Sequence, residues 1–143
     1  MKKILFVCHG NICRSPMGEY VMKALVAQAG RSHEFQIASA AVSREELGNP
    51  VYPPARRELQ KHGIACDGHR AHQITRAELE SYDLIYYMDG SNAWYLRRLF
   101  GDDAAKCRPL IARDVADPWY TGDFGQTWED ILEGCTAILE ELT

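Results

Sequence analysis

No stretch at the start of this sequence is apolar for long enough to cross a membrane or to form a signal-peptide core. Ile4-Leu5-Phe6-Val7-Cys8 follows Met1 and two lysines and then stops, far short of the roughly 20 residues a spanning helix needs. With no longer run elsewhere, the chain is expected to be soluble and intracellular, with no membrane partner. Positive charge is also short. Sixteen Lys and Arg stand against 20 Asp and Glu, a formal net charge of -4, which argues against nucleic acid as a partner. It leaves room for one small positive pocket. Metal-ligand spacing is missing as well: the five cysteines are odd in number, and Cys8 and Cys13 have no second Cys/His pair to complete a zinc site. A disulfide framework is not expected in a domain of this size without a secretion signal. Cys66, Cys107 and Cys135 read as small buried apolar side chains. No repeat, low-complexity tract or linker interrupts the chain, so residues 1–143 are expected to form one domain large enough to bury a core.

What is present alternates between strand and helix. Lys3 to Cys8 reads as a buried parallel strand ending at Gly10-Asn11. Ser15-Pro16 then opens a helix, with Ser15 as N-cap and Pro16 at the first helical position, and Gly30 closes it. Phe35 to Ala38 forms a short second strand, and Ala55 to His62 a helix stopped by Gly63. Thr75-Arg76-Ala77-Glu78 has the form of a capping box. Asp83 to Met88 is a third strand, Ser91 to Phe100 a helix, Lys106 to Leu110 a fourth strand, and Ile111 to Gly125 a loop. Trp128, Ile131, Leu132, Cys135, Ile138, Leu139 and Leu142 trace the buried stripe of a last helix. The expected fold is α/β, a three-layer sandwich with a central four-stranded parallel sheet and helices on both faces. In such sheets ligands sit beyond the carboxyl ends of the strands. Cys8 stands at one of those ends.

The segment from Cys8 to Arg14 puts a cysteine and an arginine at opposite ends of one strand-to-helix loop in a Cys-x5-Arg spacing. A loop that curls into a helix N-terminus points backbone amides at a common centre and makes an oxyanion cradle. Gly10 and Asn11 are the residue types that tolerate the positive φ of such a curl. Arg14 adds a planar fork for two phosphate oxygens. The same helix end and cation stabilise a thiolate at Cys8, and the Ser15 hydroxyl is placed to donate to that sulfur. The arrangement suits nucleophilic attack on a phosphate monoester. A leaving oxygen needs a proton, and Asp117, before Pro118 and the aromatics Trp119 and Tyr120, is the candidate general acid. Asp114 and Asp123 compete with it, and spacing alone does not choose among the three.

Cys8-His9-Gly10-Asn11-Ile12-Cys13-Arg14-Ser15-Pro16 resembles the phosphate-binding loop of low-molecular-weight protein tyrosine phosphatases, and Asp117-Pro118-Trp119-Tyr120 resembles their acid loop. The likeness extends over essentially the whole chain, with Gly48-Asn49-Pro50 and Gln73-Ile74-Thr75 in familiar places. It implies that a phosphotyrosine-containing protein or peptide is the substrate and that no metal or other cofactor takes part. It implies that Cys8 forms a phosphocysteine intermediate while His9, Gly10, Asn11, Ile12, Cys13, Arg14 and Ser15 bind the phosphate and Asp117 serves as acid and then base. It also implies that Asn11, Ser15, Ser39 and His69 form a supporting hydrogen-bond network, and that the enzyme is cytoplasmic. Cys13 is similar to a second loop cysteine that captures oxidised Cys8 as a disulfide; a packing role is the alternative.

Two positions depart from the family pattern. Glu45 stands where members active on phosphotyrosine commonly carry an aromatic wall residue, and His9 replaces an apolar residue. The expected substrate wall is therefore His9, Glu45, Trp119 and Tyr120. Ile12, where members acting on phosphoarginine often carry threonine, favours phosphotyrosine. A thioredoxin-coupled arsenate reductase would need a further cysteine between Tyr82 and Ser91, and there is none. A non-catalytic phosphate-reading module would be expected to lose the nucleophile or the acid, and this chain keeps both. Oligomeric state has no signal in the sequence.

Overall fold

The computed structural model describes residues 1–143. Its elements run β1 (Lys2–Cys8), α1 (Arg14–Gln28), β2 (Phe35–Ala41), α2 (Pro53–Lys61), α3 (Arg76–Ser81), β3 (Leu84–Tyr87), α4 (Gly90–Phe100), β4 (Arg108–Pro109), α5 (Pro118–Thr121) and α6 (Phe124–Glu141). The strands lie in the order β2-β1-β3-β4, every pair parallel. Parallel neighbours cannot be joined by a hairpin, so each connection crosses a face of the sheet. The chain leaves β1 towards β2 and then returns across it to β3, which puts a topological switch point beside the carboxyl end of β1. Cys8 is the last residue of that strand.

Successive β1 side chains point to opposite faces. Ile4, Phe6 and Cys8 enter a core shared with Met17, Val21 and Met22 of α1, Leu59 of α2 and Ile131 and Cys135 of α6. Leu5 and Val7 enter the other core, with Leu79 of α3, Ile85 of β3 and Leu96 of α4. The three layers are therefore α1, α2 and α6; the sheet; and α3 and α4. Burial on both sides explains why β1 reads as an unbroken apolar run. Burying each of its large side chains stabilises the fold by about 1.5–3 kcal/mol. No helix is long and apolar enough to cross a membrane.

Several boundaries differ from expectation. Helix α1 starts two residues earlier, with Cys13 as N-cap and no side-chain cap; Ser15 is not the cap. Its hydroxyl is used inside the loop instead. Strand β2 continues to Ala41, because it stays in register with β1 as far as Cys8. Strand β4 is only Arg108–Pro109, and proline there removes a ladder donor. The stretch expected to be loop contains α5 and the first turn of α6, each capped by an aspartate, Asp117 and Asp123. Capping competes well with loop where Asp precedes Pro or an apolar run. The Thr75–Glu78 capping box is present as read.

Candidate active site

The loop from Cys8 to Arg14 is tied by its carbonyls and leaves its amides free. Cys8 O accepts from Val42 N, His9 O from Ser43 N, Ile12 O from Tyr52 N and Cys13 O from Met17 N. Asn11 O accepts from His69 Nε2–H at 2.8 Å. The amides of residues 9 to 13 donate to no protein acceptor. Turning carbonyls outward and donors inward is what an anion cradle requires. Asn11 is the only non-glycine residue with positive φ, at 61°. Gly10 does not share that conformation, a correction to the sequence reading. Its missing Cβ matters for space, since one would lie 3.3 Å from Glu46 Cγ.

Asn11 holds this curl with its whole amide. Nδ2 donates to Ser15 Oγ at 2.7 Å and Ser39 Oγ at 3.0 Å, while Oδ1 accepts from His72 N at 3.2 Å. Ser39 Oγ in turn donates to Glu19 Oε1 at 2.6 Å. Glu19 is buried and also meets Lys23 Nζ. As a thiol, Cys8 Sγ–H donates to Ser15 Oγ at 3.1 Å and the Ser15 hydroxyl donates to the Ala40 carbonyl at 3.4 Å; because Ser15 Oγ also accepts from Asn11, its one proton is free to turn to the sulfur of a Cys8 thiolate. The sulfur also accepts from Ser15 N at 3.3 Å. The structure brings Asn11, Ser15, Ser39 and His69 together. Glu19 was missed, although Ser15, Glu19 and Lys23 share one helical face at four-residue spacing.

Arg14 is 3% exposed and closely surrounded. Nη1 donates to Asp89 Oδ2 at 2.8 Å and to the Val115 carbonyl at 3.1 Å, and Nη2 reaches Asp117 Oδ2 at 3.4 Å. Burial works to lower its pKa, but the charges of Cys8, Asp117 and Asp89 outweigh that and raise it, so the guanidinium stays charged. With the Nη1 end occupied, Nε–H and one Nη2–H remain as a side edge for two anionic oxygens. Asp89 was not singled out from the sequence. It is also the N-cap of α4 in a capping box with Asn92, and Asp89-Gly90-Ser91-Asn92 could have signalled that role. Burial, then the charge of Cys8, pushes the Cys13 thiol well up, which keeps it protonated beside Cys8.

The three competing aspartates separate in space. Asp114 accepts from Gly90 N, and Asp123 accepts from Gln126 N. Asp117 uses Oδ1 to accept from Trp119 N at 3.1 Å, which turns Oδ2 towards Arg14. Cys8, Arg14 and Asp117 line one cavity of about 590 Å³, whose wall includes Trp119, Tyr120 and Tyr95. Trp119 leans on Tyr52, ring centroids 5.2 Å apart. Also in the wall, His9 Nε2 lies 3.0 Å from Glu45 Oε2 and its ring meets Tyr95 edge-on. His9, Glu45, Trp119 and Tyr120 all border the cavity, Tyr95 of α4 joins them, and Tyr52 supports Trp119 from behind.

The low molecular weight phosphotyrosine protein phosphatase family model matches residues 3–143. The low molecular weight protein-tyrosine-phosphatase YfkJ of Bacillus subtilis is 34% identical, the match covering 99% of this chain and 96% of YfkJ. The low molecular weight phosphotyrosine protein phosphatase of Gallus gallus is 38% identical over 99% of this chain and 96% of its own. Among solved structures, SP-PTP of Streptococcus pyogenes superposes with a TM-score of 0.93 at 37% identity, covering 100% of this chain and 94% of that one.

Proposed function

The chain belongs to the low molecular weight phosphotyrosine protein phosphatase family and is a protein-tyrosine-phosphatase, and from that premise we propose how its own residues carry out the reaction. The phosphoryl dianion of phosphotyrosine sits on the free amides of residues 9 to 13, with two of its oxygens on the side edge of Arg14. Cys8 Sγ attacks phosphorus in line as the bond to the phenolic oxygen breaks, and Asp117 gives that oxygen its proton. This leaves tyrosine and a phosphocysteine. Asp117, now a carboxylate, takes a proton from water as the water oxygen attacks phosphorus. The S–P bond breaks, and Cys8 returns as a thiolate stabilised by Ser15 N–H and Oγ. Charge that builds on the equatorial oxygens meets fixed donors that need no reorganisation.

One observation carries this reading: five consecutive amides without protein acceptors lie in the one loop that joins a buried cysteine to an anchored arginine. The aromatic side chains Trp119, Tyr120 and Tyr95 around the cavity suit a phenyl ring better than an alkyl chain. The reaction needs Cys8 reduced, which suits the cytoplasm, and residues 1–143 carry it as one domain. Cleavage of p-nitrophenyl phosphate without added metal, lost in Cys8→Ser, tests the nucleophile. A comparison of phosphotyrosine, phosphoserine and phosphoarginine peptides tests the substrate. Phosphotyrosine should have the highest kcat/KM; equal turnover of phosphoserine would contradict the aromatic slot, and preference for phosphoarginine would move the substrate assignment.

A further inference from the structure

The residue before the candidate acid is held in an unusual way. Ala116 N donates to Asp130 Oδ2 at 3.0 Å, and Ala116 O accepts from Thr127 Oγ1 at 2.9 Å. Thr127 and Asp130 are buried and stand three residues apart in α6, on one face of the helix. Val115 is held as completely: its N–H donates to Met88 O at 2.8 Å and its carbonyl accepts from Arg14 Nη1 at 3.1 Å. All four backbone polar groups of residues 115 and 116 are therefore bonded. Asp117 follows directly, and Pro118 restricts its backbone from the other side. Connecting segments usually satisfy such groups with water; here two buried polar side chains are committed to one alanine.

Asp130 is itself tightly held. Its Oδ1 accepts from Arg113 Nη2 at 2.8 Å and Gln126 Nε2 at 2.9 Å. Burial works to raise its pKa, but the bonds from Ala116 N, Gln126 and Arg113 outweigh it and leave the carboxyl below its ordinary range. The clamp thus keeps its charge and its geometry at neutral pH.

We propose that Thr127 and Asp130 are positioning residues for catalysis, clamping Ala116 so that the Asp117 carboxyl is presented to the leaving oxygen above Cys8. The inference rests on Asp117 being the proton donor. A donor must come within about 2.6–3.2 Å of the oxygen it protonates. Displacement by about 1 Å costs on the order of 100-fold.

The test measures kcat/KM for aryl phosphates running from phenyl to nitrophenyl and dinitrophenyl phosphate, in Thr127→Val, Thr127→Ser, Asp130→Asn, Asp117→Ala and the double variant Thr127→Val/Asp117→Ala. Thr127→Val keeps the shape and removes the hydroxyl. It should lose roughly 10- to 100-fold on phenyl phosphate and far less on dinitrophenyl phosphate, whose leaving group needs no proton. Thr127→Ser should restore activity, and Thr127→Val should cost nothing further where Asp117 is already Ala. Inhibition by inorganic phosphate should stay within about threefold, since the amide cradle and the Arg14 side edge that bind phosphate are left in place. An equal loss across the series, or the same loss in the Asp117→Ala background, overturns the clamp and leaves the acid assignment standing. A flat series for Asp117→Ala removes both. Should Asp130→Asn unfold, the Thr127 variants decide the matter alone.

Discussion

Replacing Asn11 by alanine and by glycine separates two things that asparagine does at once. Its side chain bonds Ser15, Ser39 and His72, and its backbone sits at a φ of 61°. Alanine loses both the bonds and the ease of that conformation; glycine loses only the bonds. A left-handed φ costs a residue with a Cβ about 1–2 kcal/mol. The His72 amide belongs to an exposed residue and can turn to water, so losing its acceptor costs about 1 kcal/mol, and the two donor bonds contribute roughly 1 kcal/mol each. Ser39 keeps its bond to Glu19, which softens the second loss. Asn11→Ala should therefore destabilise the fold by about 3–5 kcal/mol, a third or more of a typical domain's stability. Asn11→Gly should be less damaging by about 1–2 kcal/mol. Equilibrium urea denaturation of the three proteins measures both differences, read from midpoints at constant slope. In both variants Ser15 also loses the bond that aims its proton at Cys8, so kcat/KM should fall in each. Equal stability of the alanine and glycine variants would refute the conformational part of the argument. Wild-type stability in either would refute the network.

Arg14→Lys keeps the charge but cannot hold Asp89, Val115 O and two phosphate oxygens together, so kcat/KM should fall by about 100-fold or more while Cys8 stays alkylatable. Gly134→Ala places a methyl group into the Leu110 side chain, where overpacking costs about 1–3 kcal/mol; thermal melting should shift down by several degrees, with kcat nearly unchanged. The His72 pKa is raised, chiefly by its bond to Glu78. The pair's contribution is thus complete below the ordinary histidine value of about 6.5 and is lost as pH climbs through the raised folded value. The stability gap between wild type and His72→Gln should accordingly shrink between pH 6 and pH 9 in urea titrations. A gap that grows would reverse the assignment.

The chain's own letters determine a good deal. Unbroken apolar residues from Ile4 to Val7 dictate a strand buried on both faces, and that in turn dictates helices on both sides of the sheet. The Cys8-to-Arg14 spacing between such a strand and a helix start determines an oxyanion loop, because local backbone geometry there depends on neighbours in sequence. Thr75 to Glu78 and Asp117-Pro118 are legible for the same reason. Spacing alone did not choose Asp117 over Asp114 and Asp123, since all three are capping-competent aspartates; the likeness of Asp117-Pro118-Trp119-Tyr120 to a family's acid loop pointed to Asp117, and the fold is what brings it to Arg14. Glu19, Asp89, Thr127 and Asp130 were hidden for a related reason. Each looks like an ordinary polar helix residue, and its partner lies at a distance in sequence that no periodicity reports, such as Arg14 with Asp89 or Ala116 with Asp130. Local covalent and conformational preferences thus determine the loop from Cys8 to Arg14, whereas the aim of Arg14 and of the Asp117 carboxyl is decided by contacts that exist only once the sheet has gathered distant segments at its carboxyl edge.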